Sequence, residues 1–424
     1  MNDRNAVTDD DIQRVVGGFK HYMQHAIETS SFSIDELKDF MEPIFERAGY
    51  RNSTGNSIDN ILILHEGAVG DFILMSSMLR ELRREYPSAY ITLVVDSESK
   101  NLAEFCPYID ELLAVSFQSL KGNLTSMYFT CLNVAQNLLR HRFDAVLAVA
   151  ALHFTNSPLL GYMTGARERI THMKSVWLPL ITHQLTPITK KFHVVDLAVQ
   201  YAEALIKHPV DNRELEVWLE DADIESAQSL LPSTKKVIAI GLVGSRAKKH
   251  YPPKSYAQLI KRLYRADSEL RFVLIGGKSD SAEAALIMRD VNRKCITDLT
   301  GKTTYRQTTA ILSFCRMYIG NDSSAMHLAA AVGTPVLSPN CLSLDVPTSF
   351  NVVEMFHPSG VPSVIVCPNH ALAECRNSTS FYGCIADRPH CITQITPDDM
   401  FRAYNLLLER IAENNTEPLI VGTT

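Results

Sequence analysis

From residue 58 the chain alternates short apolar runs with segments whose apolar residues recur every three or four positions, the pattern of parallel βαβ units. Residues 58–64 form the first expected strand. An amphipathic helix is expected over 71–86, with Met75, Met78, Leu79 and Leu82 on one face and Arg80, Glu81, Arg83 and Arg84 facing elsewhere. Strands follow at 89–96 and 143–152, and a helix at 193–206. A charged stretch with a proline near its end, 211–232, interrupts the rhythm and is expected to connect two domains. The second series has strands at 237–242, 271–275 and 317–319, with helices at 254–266, 279–291 and 305–315. Two parallel sheets covered by helices imply a cleft, with ligands outside the carboxyl ends of the strands.

Residues 1–57 read as polar helical material that ends in the loop-like cluster Arg51-Asn52-Ser53-Thr54-Gly55-Asn56-Ser57. The expected organisation is an N-terminal helical extension, 1–57, a first domain, 58–215, and a second, 216–424.

Length agrees, since 424 residues at roughly 150 per domain make two or three domains. With 41 Lys+Arg against 47 Asp+Glu, the net charge of -6 argues against broad nucleic-acid binding, which needs a large basic surface. The start is acidic and polar, without the basic and then apolar segments of a signal peptide, so a cytoplasmic protein is expected. Apolar runs such as 145–152 fall far short of the ~20 residues that cross a bilayer, which leaves only peripheral membrane contact.

Three glycine-bearing turns carry the candidate chemistry. His65-Glu66-Gly67-Ala68-Val69-Gly70-Asp71 follows the first strand. Gly67 and Gly70 let backbone approach a ligand, and Asp71 sits where the turn becomes a helix, as a cap or as an acid-base group. Gly320-Asn321-Asp322-Ser323-Ser324 opens a helix that closes at Gly333, with His327 four residues after Ser323 on the same face. Free amides and hydroxyls there suit a diphosphate, while Asp322 suits ribose hydroxyls or a cap. Gly244-Ser245-Arg246-Ala247-Lys248-Lys249 places a hydroxyl and three cations before a helix, the groups that stabilise a departing phosphate.

Together these sites resemble glycosyltransferase family 9, the ADP-heptose:lipopolysaccharide heptosyltransferases, over about five sixths of the chain, most specifically at residues 320–335. The resemblance implies an α/β protein of the GT-B fold, two Rossmann-like parallel-sheet domains facing a central cleft. It implies inverting transfer of a heptose-type sugar from ADP-heptose to a lipopolysaccharide-core or other glycan acceptor, with no required cofactor. Asp71 then matches the base that deprotonates the acceptor, and Lys249, with Ser245 before it, lies near the donor phosphates. Asp322, Ser323, Ser324 and His327 fall on the nucleotide-sugar signature, and Asp280, after Gly276-Gly277, matches an acidic residue that holds the donor ribose. Two positions depart from the pattern: His65 replaces a basic residue and Ser324 a glycine. Two other functions remain open, a protein O-heptosyltransferase and an inactive nucleotide-sugar-binding assembly protein. Partners are therefore a nucleotide-sugar donor and a glycan, glycolipid or protein acceptor.

Thr300-Gly301-Lys302-Thr303 resembles the end of a phosphate-binding loop, but Ile296 stands where its first glycine belongs. Four of the nine cysteines, Cys367, Cys375, Cys384 and Cys391, lie within 25 residues at spacings unlike the close pairs of zinc ribbons. Scattered packed thiols and a structural zinc or iron centre both stay open; some protein-directed relatives of the family carry a cysteine-bound iron finger.

Overall fold

The structure, a computed structural model, describes residues 7–51, 57–117, 123–149, 156–172, 176–185, 192–234, 236–242, 244, 246–345, 352–376 and 387–424. Within these, the chain divides into two compact units. Met1–Phe72, Met78–Pro187 and Leu197–Asp211 make the first, and Ile73–Ser77, Ile188–Asp196 and Asn212–Thr424 the second.

The first unit is built on a six-stranded parallel sheet: β1 (Asn60–His65), β2 (Tyr90–Asp96), β3 (Glu111–Val115), β4 (Ala145–Val149), β5 (Glu168–Thr171) and β6 (His183–Gln184). Their spatial order is β3-β2-β1-β4-β5-β6, the Rossmann order, and it reverses between β1 and β4. Ile61, Leu62, Ile63 and Leu64 are all fully buried, as strands covered on both faces require. The expected helix over 71–86 is two, α3 (Val69–Leu74) and α4 (Ser76–Glu85). The chain breaks at Met75, just before two buried serines, Ser76 and Ser77, of which Ser76 accepts the Glu216 N–H at 2.9 Å.

Two helices precede this sheet, α1 (Asp9–Glu28) and α2 (Ile34–Arg47). Thr8 opens α1 with a capping box to Asp11. Phe19, Leu37, Met41 and Phe45 are fully buried in the same core as Tyr128, Leu132, Leu160 and Tyr162, from the helices Leu124–Leu138 and Ser157–Met163. Phe19 packs edge-on against Phe45, Tyr128 and Tyr162 at 5.9, 6.3 and 6.2 Å between ring centres. The Tyr50 hydroxyl donates to the Leu139 carbonyl at 2.5 Å, and Arg51 forks onto the Glu42 carboxylate. Residues 7–51 thus belong to the first unit's core.

In the second unit seven parallel strands follow: β7 (Val237–Gly241), β8 (Arg271–Ile275), β9 (Ile296–Asp298), β10 (Met317–Gly320), β11 (Val336–Pro339), β12 (Ser363–Cys367) and β13 (Pro418–Gly422). Their order is β13-β12-β11-β10-β7-β8-β9, which reverses between β7 and β10. Part of the charged stretch expected as a connection is itself a helix, Asp221–Leu230. Asp221 and Asp223 favour its positive end, and Arg306 holds Asp223 at 3.2 Å.

Candidate functional site

Each unit carries candidate site residues where its own sheet reverses its strand order, outside the carboxyl ends of the central strands, the position that open α/β sheets offer to ligands. In the first unit this is the turn from β1 into α3. A Cβ on Gly67 would stand 2.7 Å from the His65 ring and 2.9 Å from Asp71 Cβ, so the tight turn requires glycine. Asp71 Oδ2 accepts the Ala68 N–H at 3.0 Å, which orients its half-buried carboxylate; Gly70 is in the first turn of α3 beside it. His65 is buried, stands edge-on to Phe72, and its Nδ1 has no partner among the described residues. Burial pushes its pKa down to about 4 against the pull of Asp96, so the residue at the position of the family's usual cation is neutral. The neighbouring Glu66 accepts the Ser157 hydroxyl at 3.0 Å.

In the second unit the ends of β7 and β10 are adjacent, Gly241 beside Gly320. A Cβ on either would collide with the Tyr318 phenol. Just beyond them Asn321 is fully buried and joins the two turns. Its Oδ1 accepts the Tyr251 N–H at 3.1 Å and the Tyr256 hydroxyl at 3.2 Å, and its Nδ2 donates to the Leu242 carbonyl. That fastening presents Asp322 to the turn Ala247–Lys249, where Lys249 Nζ lies 2.6 Å from Asp322 Oδ2. Burial works against the Lys249 ammonium, but attraction and hydrogen bonding from Asp322 together outweigh it and raise its pKa. Burial likewise opposes the Asp322 carboxylate, and Lys249, followed by His327 and Arg246, holds its pKa down. The site therefore carries a stable ion pair at neutral pH.

Ser323 precedes the helix Ser324–Ala331 in extended conformation, and Ser324 is its first residue. His327 follows one turn on, 4% exposed, and its Nδ1 lacks a partner among the described residues. Burial pushes it down to about 4 despite Asp322. Lys248 is buried beside Lys249. Ser245 lies outside the described residues. Asp280 does not join this group through its hydrogen bonds. It closes its own turn after β8, accepting Gly277 N–H at 2.9 Å and the Ser279 hydroxyl at 2.7 Å.

The structure adds two histidines that sequence reasoning passed over. His193 Nε2 donates to the His357 carbonyl at 2.9 Å, its Nδ1 accepts the Val195 N–H at 3.2 Å, and the two rings stand 4.4 Å apart. These bonds fix one neutral tautomer, and burial, then His357, pushes His193 down to about 3. Nothing local in the sequence marks residues 193 and 357 as partners.

Of the four clustered cysteines, Cys375 and Cys391 come together and Cys367 is buried in β12. Cys384 lies outside the described residues.

The profile of Glycosyltransferase family 9 (heptosyltransferase) matches residues 131–338, which include Lys249, Asp280, Asp322 and His327 but not Asp71. The lipopolysaccharide core heptosyltransferase OpsX of Haemophilus influenzae is 23% identical over 285 residues, 66% of this chain and 78% of that protein. Over those residues this chain matches the family 9 glycosyltransferases and is heptosyltransferase-like. Among solved structures, a family 9 glycosyltransferase from Veillonella parvula superposes with a TM-score of 0.68 at 19% identity, over 84% of this chain and 99% of that one. The E. coli heptosyltransferase WaaC, solved with ADP, gives 0.55 at 15% identity over 84% and 99%. The family 9 fold, two parallel α/β sheets of the GT-B kind, is thus established for this chain, and Asp71, outside the profile match, is placed by the β1–α3 geometry alone.

Proposed function

We propose that the enzyme transfers a heptose-type sugar, with inversion, from ADP-heptose to a hydroxyl of a lipopolysaccharide-core or other glycan acceptor. The observation that carries this reading is the Lys249–Asp322 pair, fixed at the strand reversal of the second sheet beside the opening of the helix Ser324–Ala331. A cation, helix amides and hydroxyls at one place suit a diphosphate leaving group without a metal.

The reading gives each candidate residue one role. Asp71 takes the proton of the acceptor hydroxyl, whose oxygen forms the new bond to the anomeric carbon. The bond from that carbon to the donor phosphate breaks, and its electron pair leaves with the nucleoside diphosphate, whose charge Lys249 and the helix opening stabilise. Asp322 keeps Lys249 charged and aimed, and Ser323, Ser324 and His327 line the same opening. His327, neutral at physiological pH, offers hydrogen bonds without adding charge.

The test is ADP release from ADP-heptose by the purified protein, with and without lipopolysaccharide-core acceptor, for the native chain and Asp71→Asn. Acceptor-dependent release that falls ~10² to 10⁴-fold in the variant, the contribution of a positioned base, with donor-induced thermal stabilisation retained, is the expected result. Near-normal turnover in Asp71→Asn would remove the base from the scheme. A second reading, transfer to a protein hydroxyl, draws on His65, whose neutral ring takes a positive charge away from the glycine turn. It is scored in the same assay with a protein acceptor.

A further inference from the structure

Two thiols and an imidazole meet in the second unit, on the segments that follow β12. Cys375 is in the short helix Ala373–Arg376, while His390 and Cys391 lead into the 3₁₀ turn Cys391–Gln394. Cys375 Sγ lies 3.5 Å and Cys391 Sγ 3.4 Å from the same atom, His390 Nδ1, and the three donor atoms all fall within 4.8 Å of one another. All three side chains are buried.

The polar contacts of the cluster converge on one ring. His390 Nε2 faces the Glu374 carboxylate at 3.4 Å, and an ionised carboxylate only accepts, so the ring proton belongs on Nε2. Nδ1 then presents a single lone pair, and both sulfurs converge on it, so three atoms of the kinds that hold a metal meet at one buried point. A divalent cation among them takes the Nδ1 lone pair and both sulfurs at once.

The spacing fits. Metal–sulfur bonds of about 2.3 Å and metal–nitrogen bonds of about 2.0–2.1 Å at the tetrahedral angle give a nitrogen–sulfur edge of about 3.5–3.6 Å. The observed edges are 3.4 and 3.5 Å.

We propose that Cys375, His390 and Cys391 bind one zinc-class divalent cation, with Glu374 as the residue that positions His390. Two sulfurs and one imidazole select a borderline-soft ion over magnesium or calcium. Binding releases two thiol protons, and the two thiolates neutralise the 2+ charge, so the centre sits without net charge against the apolar cluster of Leu342, Val353 and Ile365. The Leu372 N–H donates to Cys391 Sγ at 3.4 Å. Glu374 on Nε2 is the carboxylate–histidine–metal relay that fixes ring orientation and tautomer. Three protein donors leave one tetrahedral corner for a further ligand. The ligand set differs from the four-cysteine cluster suggested by the sequence: His390 enters and Cys367, in β12, stays out.

The ion has a mechanical role. It ties the helix Ala373–Arg376 to the turn Cys391–Gln394, and that turn packs against Ala247–Lys249, which carries Lys249. The site's existence does not depend on the glycosyl-transfer reading.

The test is metal analysis of the full chain purified without chelator, followed by cobalt substitution. About one zinc per chain, and a thiolate-to-cobalt charge-transfer absorption in the substituted native protein, are expected. Cys375→Ser, His390→Ala and Cys391→Ser each lose the ion, Cys367→Ser keeps it, and Glu374→Gln keeps it with affinity lowered about 10–100-fold in a chelator competition. A native protein that is metal-free and yields no charge-transfer band overturns the proposal, whatever the folding of the variants. So does full metal retention in His390→Ala, loss of metal in Cys367→Ser, or a Cys375–Cys391 disulfide in the freshly purified chain.

Discussion

Lys249 Nζ and Asp322 Oδ2 lie 2.6 Å apart across the two turns that follow β7 and β10. Their side chains are 24% and 13% exposed, so each charge depends on the other more than a surface pair would. Lys249→Met leaves the Asp322 carboxylate without its counter-ion and is expected to lower stability by about 3 kcal/mol. Adding Asp322→Asn should recover much of that loss, while donor-induced thermal stabilisation stays absent in both proteins. Chemical denaturation of the two single variants and the double variant measures the coupling. Additive losses would show that the pair contributes nothing as a pair.

Acid should destabilise the protein through its buried imidazoles. His65 and His327 have folded pKa values of about 4, below the unfolded value near 6.5, so the unfolded chain binds more protons between those limits. Their neutral burial costs nothing above that window, and stability falls as pH drops from 6.5 toward 4. Between pH 7 and 5 each contributes a loss of about 2 kcal/mol by linkage. Urea unfolding of the native chain and of His65→Leu at both values checks this; the variant should show the smaller pH dependence.

Phe19→Ala should destabilise the first unit by about 3–5 kcal/mol, because a fully buried ring in contact with three other aromatics leaves a cavity. An unfolding midpoint that falls by that amount would show α1 to be part of the cooperative core. A loss below about 0.5 kcal/mol, typical of exposed positions, would make it a detachable layer.

Asn321→Leu should cost about 2–4 kcal/mol, since Tyr251 N–H loses its described acceptor and the Leu242 carbonyl its described donor in a buried setting. Its larger signature is in donor binding: the Lys249 turn and the Asp322 turn lose their common fastening. A donor KM raised well beyond any change in kcat is the expected kinetic result.

The central strands were legible because strands buried on both faces are written as unbroken apolar runs; 271–275 and Arg271–Ile275 coincide. Helix breaks were less so. Met75 lies inside an apolar stripe that continues across the turn, and only tertiary structure shows that the stripe belongs to two helices. The helix Asp221–Leu230 buries just Asp223 and Ala227 along its length, too thin a face to give a periodic signal. At the site, Lys249 and Asp322 were readable from their motifs, but their mutual contact spans 73 positions. Asn321 looked like any turn asparagine, and Asp280, matched to a carboxylate that holds the donor ribose, closes its own turn through Gly277 and Ser279. His390 was invisible beside its cysteines because the pairing of Cys375 with Cys391 is made by the fold.

The helices α1 and α2 also bear on where this enzyme can be cut. The family profile begins at residue 131, inside the helix Leu124–Leu138, and ends within β11. A fragment chosen on that match would discard β1, β2 and β3 from the middle and one side of the first sheet, leave β4 as a raw edge, and strip β12 and β13 from the second. Starting instead at β1 would still expose the aromatic surface that Phe19 and Phe45 cover, an apolar face of the kind that drives aggregation. A piece of the first unit that keeps this face covered therefore has to start before Asp9, well upstream of where the family profile begins.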